Sequence, residues 1–372
     1  MCRRMPWRSA SRPASCRLVP SDRDDAMAVL AVVTSSPPGV EGGHLVIGRS
    51  IVAAARESGH DARLVITPDH GFGRQAAAYW QTWRFDISHV DGMKVDQVIS
   101  LRYPSYAVRH PAHVCWLNHP MHEYYDLWPR LTASISRANF VKESVRRTLI
   151  RVADSWLLTR NVTKLLAQSR TIQRLLVDEL GIRPDVLWPP PPPRPYRCDA
   201  YDGYIFTVSR LMPLKRIDLL IRALAEPAAL RVRAVIAGEG EEAEALAQLA
   251  AQLGVANRAR FLGRIDDETM LRHLATCRAV YFAPFAEDYG FVTVEAFASR
   301  KAVITCSDSG GPTELVRNEA TGLVCEPAPA AVALALARVT DDAEFAERLG
   351  ARAAVQAAAM TWHDAMKRLM IV

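Results

Sequence analysis

The chain of 372 residues is long enough for two separately packed domains, and with 49% hydrophobic and 23% charged residues it has the composition of an ordinary globular protein. Its formal charge of +6 suits anionic ligands or an anionic membrane surface, while no basic-aromatic RNA motif or zinc-finger spacing speaks for nucleic acid. Seven single cysteines without a CxxC pair argue for a reducing cytoplasm over a disulfide framework, and no apolar run approaches the roughly 20 residues that span a bilayer.

Residues 1–26 are arginine-rich but lack a continuous apolar segment, so they make a poor secretory signal. They read as a disordered or non-native extension, with Met27 the more natural start. From Ala28 the pattern is strand, glycine-rich turn, helix: AVLAVVTSS, then PPGVEGG, then HLVIGRSIVAAARESGHD with a stop at Gly59. ARLVITP, VDQVIS and HVCWLNH follow as strands. KLLAQS leads into the helix RTIQRLLVDELG, and DVLWP closes a first domain over 27–188. The run PPPPPRPYR, residues 189–197, withholds strand N–H groups and favours a stiff extended connector.

The second half, 198–360, alternates more cleanly. Strands are expected at YIFTVS, VRAVIAG, ARFLG, AVYFAP, AVITC and GLVCEP, with helices such as KRIDLLIRALA and EEAEALAQLAAQLG between them. This alternation in both halves predicts an α/β protein of two doubly wound parallel sheets facing a cleft. The end of the chain, 361–372, is expected as a helix crossing back to the first domain.

Four stretches carry chemistry. In VSRLMPLKRIDLL, Arg210 and Lys215 follow a buried strand, where two cations can neutralise a diphosphate without a metal. A solvated loop with surface ion pairs is the plainer alternative. AGEGEE is not a dinucleotide loop, because its acids would repel a pyrophosphate; a helix start with acids against the dipole explains it better. FLGRI places Arg264 and Ile265 after a strand, where backbone groups can meet a base edge. In APFAEDYGFVTVEAFASRKAVITCSDSGGPTELV, Gly290 marks a helix start, with Glu287 before it and Glu295 within it. Carboxylates accept bonds from sugar hydroxyls, and the N–H groups near Gly290, Phe291 and Val292 suit phosphate oxygens. Acids that merely cap a helix are the competing explanation.

SRLMPLK, GEGEE, FLGRI and EDYGFVTVEA…SDSGGPTE occur in one order. Together they resemble the nucleotide-sugar-binding half of the retaining GT-B glycosyltransferases of the glycosyltransferase family 4 group, whose hallmark is Glu, seven residues, Glu. The resemblance is strong over 204–327 and weaker over 27–190. It implies that Arg210 and Lys215 bind the donor diphosphate, Glu287 the transferred sugar and Glu295 the ribose. It also implies that Gly290, Phe291 and Val292 lend backbone groups, and that Arg264 and Ile265 lie at the base. Gly42 and Gly43 match a glycine loop that approaches the phosphate. His119 matches a histidine near the reacting carbon, while His122 stands where arginine is usual, which leaves its role open.

The implied activity is retaining transfer from a GDP- or UDP-sugar to a glycan, lipid-linked or small-molecule acceptor. The setting is bacterial polysaccharide, cell-envelope or glycolipid synthesis. No cofactor and no metal are expected, nor nucleic acid; peripheral contact with the inner face of the plasma membrane is compatible with the charge. Acceptor choice is expected in loops such as PDHGFGRQAAAYWQTWRFD, where Tyr79, Trp80 and Trp83 can stack on sugars, although core packing explains such aromatics as often. The rival readings are an epimerase or hydrolase of the same fold and a silent nucleotide-sugar-binding subunit.

Overall fold

The structure is a computed structural model that describes residues 27–36, 42–68 and 71–372. The extension 1–26, most of the turn PPGVEGG and Asp69–His70 lie outside them. The first half contains β1 (Val29–Ser36), α1 (Gly43–Glu57), β2 (Asp61–Pro68) and α2 (Gln75–Arg84). A short hairpin, β3 (His89–Val90) and β4 (Met93–Lys94), precedes β5 (Gln97–Ser100) and β6 (His113–Leu117). Then come α3 (Trp128–Ala133), α4 (Arg137–Trp156), β7 (Lys164–Ala167), α5 (Arg170–Leu180) and β8 (Asp185–Val186).

The second half runs β9 (Ile205–Val208), α6 (Ile217–Ala225), β10 (Ala234–Ala237), α7 (Ala243–Gln252), β11 (Ala259–Gly263) and α8 (Asp267–Thr276). It continues with β12 (Ala279–Tyr281), α9 (Phe291–Ala298), β13 (Val303–Cys306), α10 (Gly311–Leu315) and β14 (Gly322–Cys325). Helices α11 (Pro329–Asp341), α12 (Ala343–Ala358) and α13 (Trp362–Leu369) end the chain.

Among the described residues there are two parallel sheets of six strands, ordered β2-β1-β5-β6-β7-β8 and β11-β10-β9-β12-β13-β14. Strands such as β6 and β13 are buried at every position, as expected where helices cover both faces of a parallel sheet. The strand order reverses between β1 and β5 in one sheet and between β9 and β12 in the other. Chain segments leaving adjacent strands diverge there, opening a crevice at the carboxyl ends where such folds bind ligands.

Helix α4 falls in a stretch with no expected element. Its buried positions are Glu143, Ile150 and Asp154, so its inward face does not read as apolar. Asp154 accepts hydroxyl bonds from Tyr106 and Tyr125, each at 2.6 Å, and from Tyr79. Burial raises the Asp154 carboxyl to about 6, against three tyrosine hydroxyls that lower it. Glu143 accepts from Tyr124 at 2.6 Å and pairs with Arg146 at 2.8 Å.

The segment around Tyr79 is helix α2, not a loop. Tyr79 is committed to Asp154 and to an edge contact with Tyr103, and Trp83 packs on Trp156. Only Trp80 of those three aromatics is exposed. Residues needed to fill this flank are therefore not available to a sugar.

The chain end returns to the first sheet. Ala365, Met366 and Leu369 of α13 share a core with Ile47, Ile51 and Trp116. Gln97 donates to the Leu369 carbonyl at 2.7 Å, and Trp362 donates to the Pro191 carbonyl of the proline run at 2.9 Å.

Candidate functional site

The site is built where the loops after β9 and β12 meet. Lys215, in the loop after β9, pairs directly with the Glu287 carboxylate, and its ammonium also lies 5.8 Å from the centre of the Phe282 ring. Arg210 is exposed on the same loop. Arg216 next to Lys215 adopts a left-handed φ of 51° and donates to the Ala283 and Pro284 carbonyls and to both oxygens of Asp308. It fastens the cationic loop to the acidic one and to the loop after β13; its neighbour Lys215 drew the attention in the sequence, and Arg216 was missed.

Close backbone contact explains the glycines. A Cβ on Gly310, whose φ is +70°, would stand 2.5 Å from the Glu287 carbonyl oxygen, and one on Gly311 would stand 2.5 Å from Tyr289 Cα. Glu287 N–H donates to the Ser309 carbonyl and Gly311 N–H to that of Glu287, at 3.0 and 2.7 Å. The GGP run is thus what holds the Glu287 loop in place. Gly238 and Gly240 of AGEGEE play the same part behind Arg210, where added Cβ atoms would strike the Ser209 and Leu211 carbonyls. Of the AGEGEE acids, Glu242 stands at the N-cap of α7 without a side-chain bond to the helix, and the acid in the first turn is Glu244, just past that stretch.

Gly290 caps α9 with φ 82°, and Phe291 and Val292 open that helix. Phe291 reaches the first domain: a Cβ on Gly43 would lie 3.4 Å from its ring. Gly42 is the N-cap of α1 and Gly43 its first residue; Gly43 sits against Phe291 at the start of α9, while a Cβ on Gly42 would meet the His44 ring at 3.0 Å. Arg264 follows β11 as an exposed side chain 3.5 Å from Glu239, and Ile265 packs into the core of the second domain.

Glu295 is 5% exposed and is held from the connector, by Arg194 at 2.6 Å and by the Tyr196 hydroxyl at 3.3 Å. Burial raises its carboxyl above the usual range despite Arg194. Arg194 also lies 3.2 Å from Asp267, at the start of α8. The connector therefore passes along the edge formed by Glu295 and the segment after Ile265, a placement the proline run did not reveal.

The first domain faces this site with the loop after β6. His119 and His122 stack with ring centres 4.3 Å apart, and His122 Nε2 lies 3.2 Å from Asp288 Oδ2. Burial, with the nearby charges of His122 and Arg102, pushes His119 well below the ordinary 6.5, so it is neutral. Burial opposes charge on His122 too, but Asp288 and Asp126 outweigh it and lift it well above 6.5. The role left open for His122 is thus occupied: it is a cation bridging the domains.

Glu314 closes the domains from the other side. Its carboxylate accepts from the Arg170 and Thr171 N–H groups at 2.7 and 2.6 Å, capping α5 of the first domain, and from Trp188 Nε1 at 3.0 Å.

Residues 197–356 match the model of the family described as glycosyl transferases group 1. The D-inositol 3-phosphate glycosyltransferase of Nocardia farcinica is 34% identical over 173 residues, covering 44% of this chain and 38% of that protein. That of Streptomyces griseus is 32% identical over 167 residues, or 35% of its length. The chain therefore spans well under half the length of these curated relatives. Among solved structures, Anabaena HepE in complex with UDP and glucose aligns with TM-score 0.65 and 17% identity over 92% of this chain and 98% of its own. Sucrose-phosphate synthase of Thermosynechococcus elongatus aligns with TM-score 0.73 and 15% identity over 92% and 98%. At these identities the likeness is one of fold.

Proposed function

We propose that this chain, which has the GT-B fold and whose residues 197–356 belong to the glycosyl transferases group 1 family, is a retaining glycosyltransferase that moves a sugar from a nucleotide diphosphate donor to an acceptor hydroxyl. The observation that carries the reading is the Lys215–Glu287 contact at the strand reversal of the second sheet, facing the His119 loop across the cleft.

The barrier in such a transfer is departure of the nucleotide diphosphate as the sugar becomes oxocarbenium-like. Lys215, Arg210 and the N-terminus of α9 would meet the developing negative charge, in positions fixed before reaction. Lys215 would exchange its Glu287 partner for the diphosphate, and Glu287 would turn to the sugar hydroxyls. Gly42 and Gly43, lacking side chains, would let the donor phosphates approach the start of α1. The departing phosphate would accept the acceptor's proton, so neither Glu287 nor Glu295 need act as nucleophile. His119, kept neutral by burial, would accept or donate a bond at the reacting sugar without adding charge. Arg264 and Ile265 would bound the base site and Glu295 the ribose, with Arg194 beside both.

HepE was solved with UDP and glucose, so UDP-sugars are the first donors to try, followed by GDP-sugars. Thermal stabilisation measured across both panels tests the reading. We expect a shift with one donor class that disappears in Arg210→Ala. Absence of any shift in the folded wild-type protein would defeat the proposal.

A cytoplasmic enzyme resting on the inner face of the plasma membrane, with a lipid-linked or glycan acceptor, fits the outward side of α4. Val141, Val145, Leu149, Val152 and Trp156 form an exposed apolar stripe at helical spacing, flanked by exposed Arg137, Lys142 and Arg160. Among the described residues no helix is long and apolar enough to cross a membrane. Sedimentation with anionic vesicles should be lost in Leu149→Asp, and equal binding by wild type and variant would remove this surface from consideration.

A further inference from the structure

His119, His122 and Asp288 each bring one ligand-type atom within 4.8 Å of the other two. The ring nitrogens are already sorted. Nδ1 of His119 is committed to the Pro120 carbonyl, and Nδ1 of His122 to the Asp126 carboxylate at 3.0 Å. His119 is left offering Nε2, and His122 Nε2, which points at Asp288, offers its lone pair once an incoming ion displaces its proton to solvent. A carbonyl or carboxylate on the far nitrogen is what fixes the tautomer and orientation of metal-binding histidines.

From this geometry we infer that His119, His122 and Asp288 form a site for a divalent first-row transition ion, such as Zn²⁺ or Co²⁺, that bridges the two domains. Two imidazoles and a carboxylate, with a position left for water, suit such ions better than Mg²⁺ or Ca²⁺. Tetrahedral bonds of about 2.0–2.1 Å put ligand atoms roughly 3.3 Å apart, so the cluster contracts by at most about 1.5 Å on binding. Arg102 is near enough to act on His119 and opposes a cation, whereas Asp126 and Asp288 supply two negative charges against it.

The ion would tie the loop after β6 to the loop before α9. If His119 serves the transferred sugar, it would also take that histidine out of action, making the metal an inhibitor. That consequence rests on the glycosyl-transfer reading; the binding itself does not.

The test is titration of the full chain with CoCl₂, followed by visible absorption, and with ZnCl₂, followed by calorimetry. One equivalent is expected, with the intense visible bands of tetrahedral Co²⁺ and a rise in Tm on adding Zn²⁺. His122→Ala and Asp288→Asn should lose the bands and the Tm rise. Asp126→Asn, which touches no metal, should weaken the affinity by roughly 10–100-fold. Melting each variant without metal checks that it folds, and His119→Gln serves if His122→Ala does not. Failure of wild type to bind, or binding undiminished in His122→Ala and Asp288→Asn, would overturn the site. Loss of binding with no effect of Zn²⁺ on sugar transfer would leave the site standing and count against the role given to His119.

Discussion

The second sheet is closed on both faces by apolar side chains, whereas one flank of the first is closed by α4, which turns Glu143 and Asp154 inward and six large apolar side chains outward. In the second domain polar residues gather at the strand ends, where loops meet backbone to backbone through Gly238, Gly240, Gly310 and Gly311. In the first domain they gather inside, where tyrosine hydroxyls are satisfied by carboxylates. The second domain thus carries Arg210, Lys215 and Glu287 on loops braced backbone to backbone, with Glu295 the buried exception. The first spends an acid on its core and leaves an apolar face uncovered.

The sharpest way to break this contrast is Asp154→Ala. It strands the Tyr79, Tyr106 and Tyr125 hydroxyls in the interior, where each unsatisfied group costs about 1–3 kcal/mol, so urea unfolding should show a loss of at least about 3 kcal/mol. A loss below 1 kcal/mol would mean that the network is incidental. The same group predicts a pH dependence. Its folded value of about 6 lies above the ordinary 3.8, so the protonated form is favoured in the fold. The associated stability is complete below about 3.8 and is lost as pH rises through about 6. Asp154→Asn should flatten that segment of the stability–pH curve.

Gly310→Ala probes the other kind of constraint. The left-handed backbone and the approach to the Glu287 carbonyl together cost about 1–3 kcal/mol, and the displaced Glu287 loop should cost donor affinity as well. Retained donor binding in that variant would separate the glycines from the site. Smallest of the three is Glu314→Gln, which weakens the cap on α5 and should lower stability by about 0.5–2 kcal/mol. Because that cap joins the domains, calorimetry should show their unfolding transitions drawing apart. A single unchanged transition would shift the burden of interdomain contact to His122–Asp288 and α13.

Much of the second domain could be read in advance because its constraints repeat along the chain. Each buried strand is a short apolar run, and each strand-end loop carries residues fixed by backbone proximity, such as GEGEE and SDSGGPTE. Local sequence therefore specifies local structure there. Arg216 was passed over because a guanidinium that braces carbonyls has the same sequence signature as one that binds phosphate. Helix α4 was passed over because the apolar stripe and the buried face of a helix ordinarily coincide, and here they do not.

The two parallel sheets, the proline connector, the cationic loop of Arg210 and Lys215, and the spacing of Glu287 and Glu295 are all legible along the chain. These follow from periodicity and from spacing within single segments. That Arg194 engages Glu295, that Glu314 caps α5 and that His122 meets Asp288 emerges from the folded chain alone. Each of these joins residues more than 100 positions apart, and the energy of such a contact depends on where two separate folded units bring their surfaces together, which no local pattern encodes.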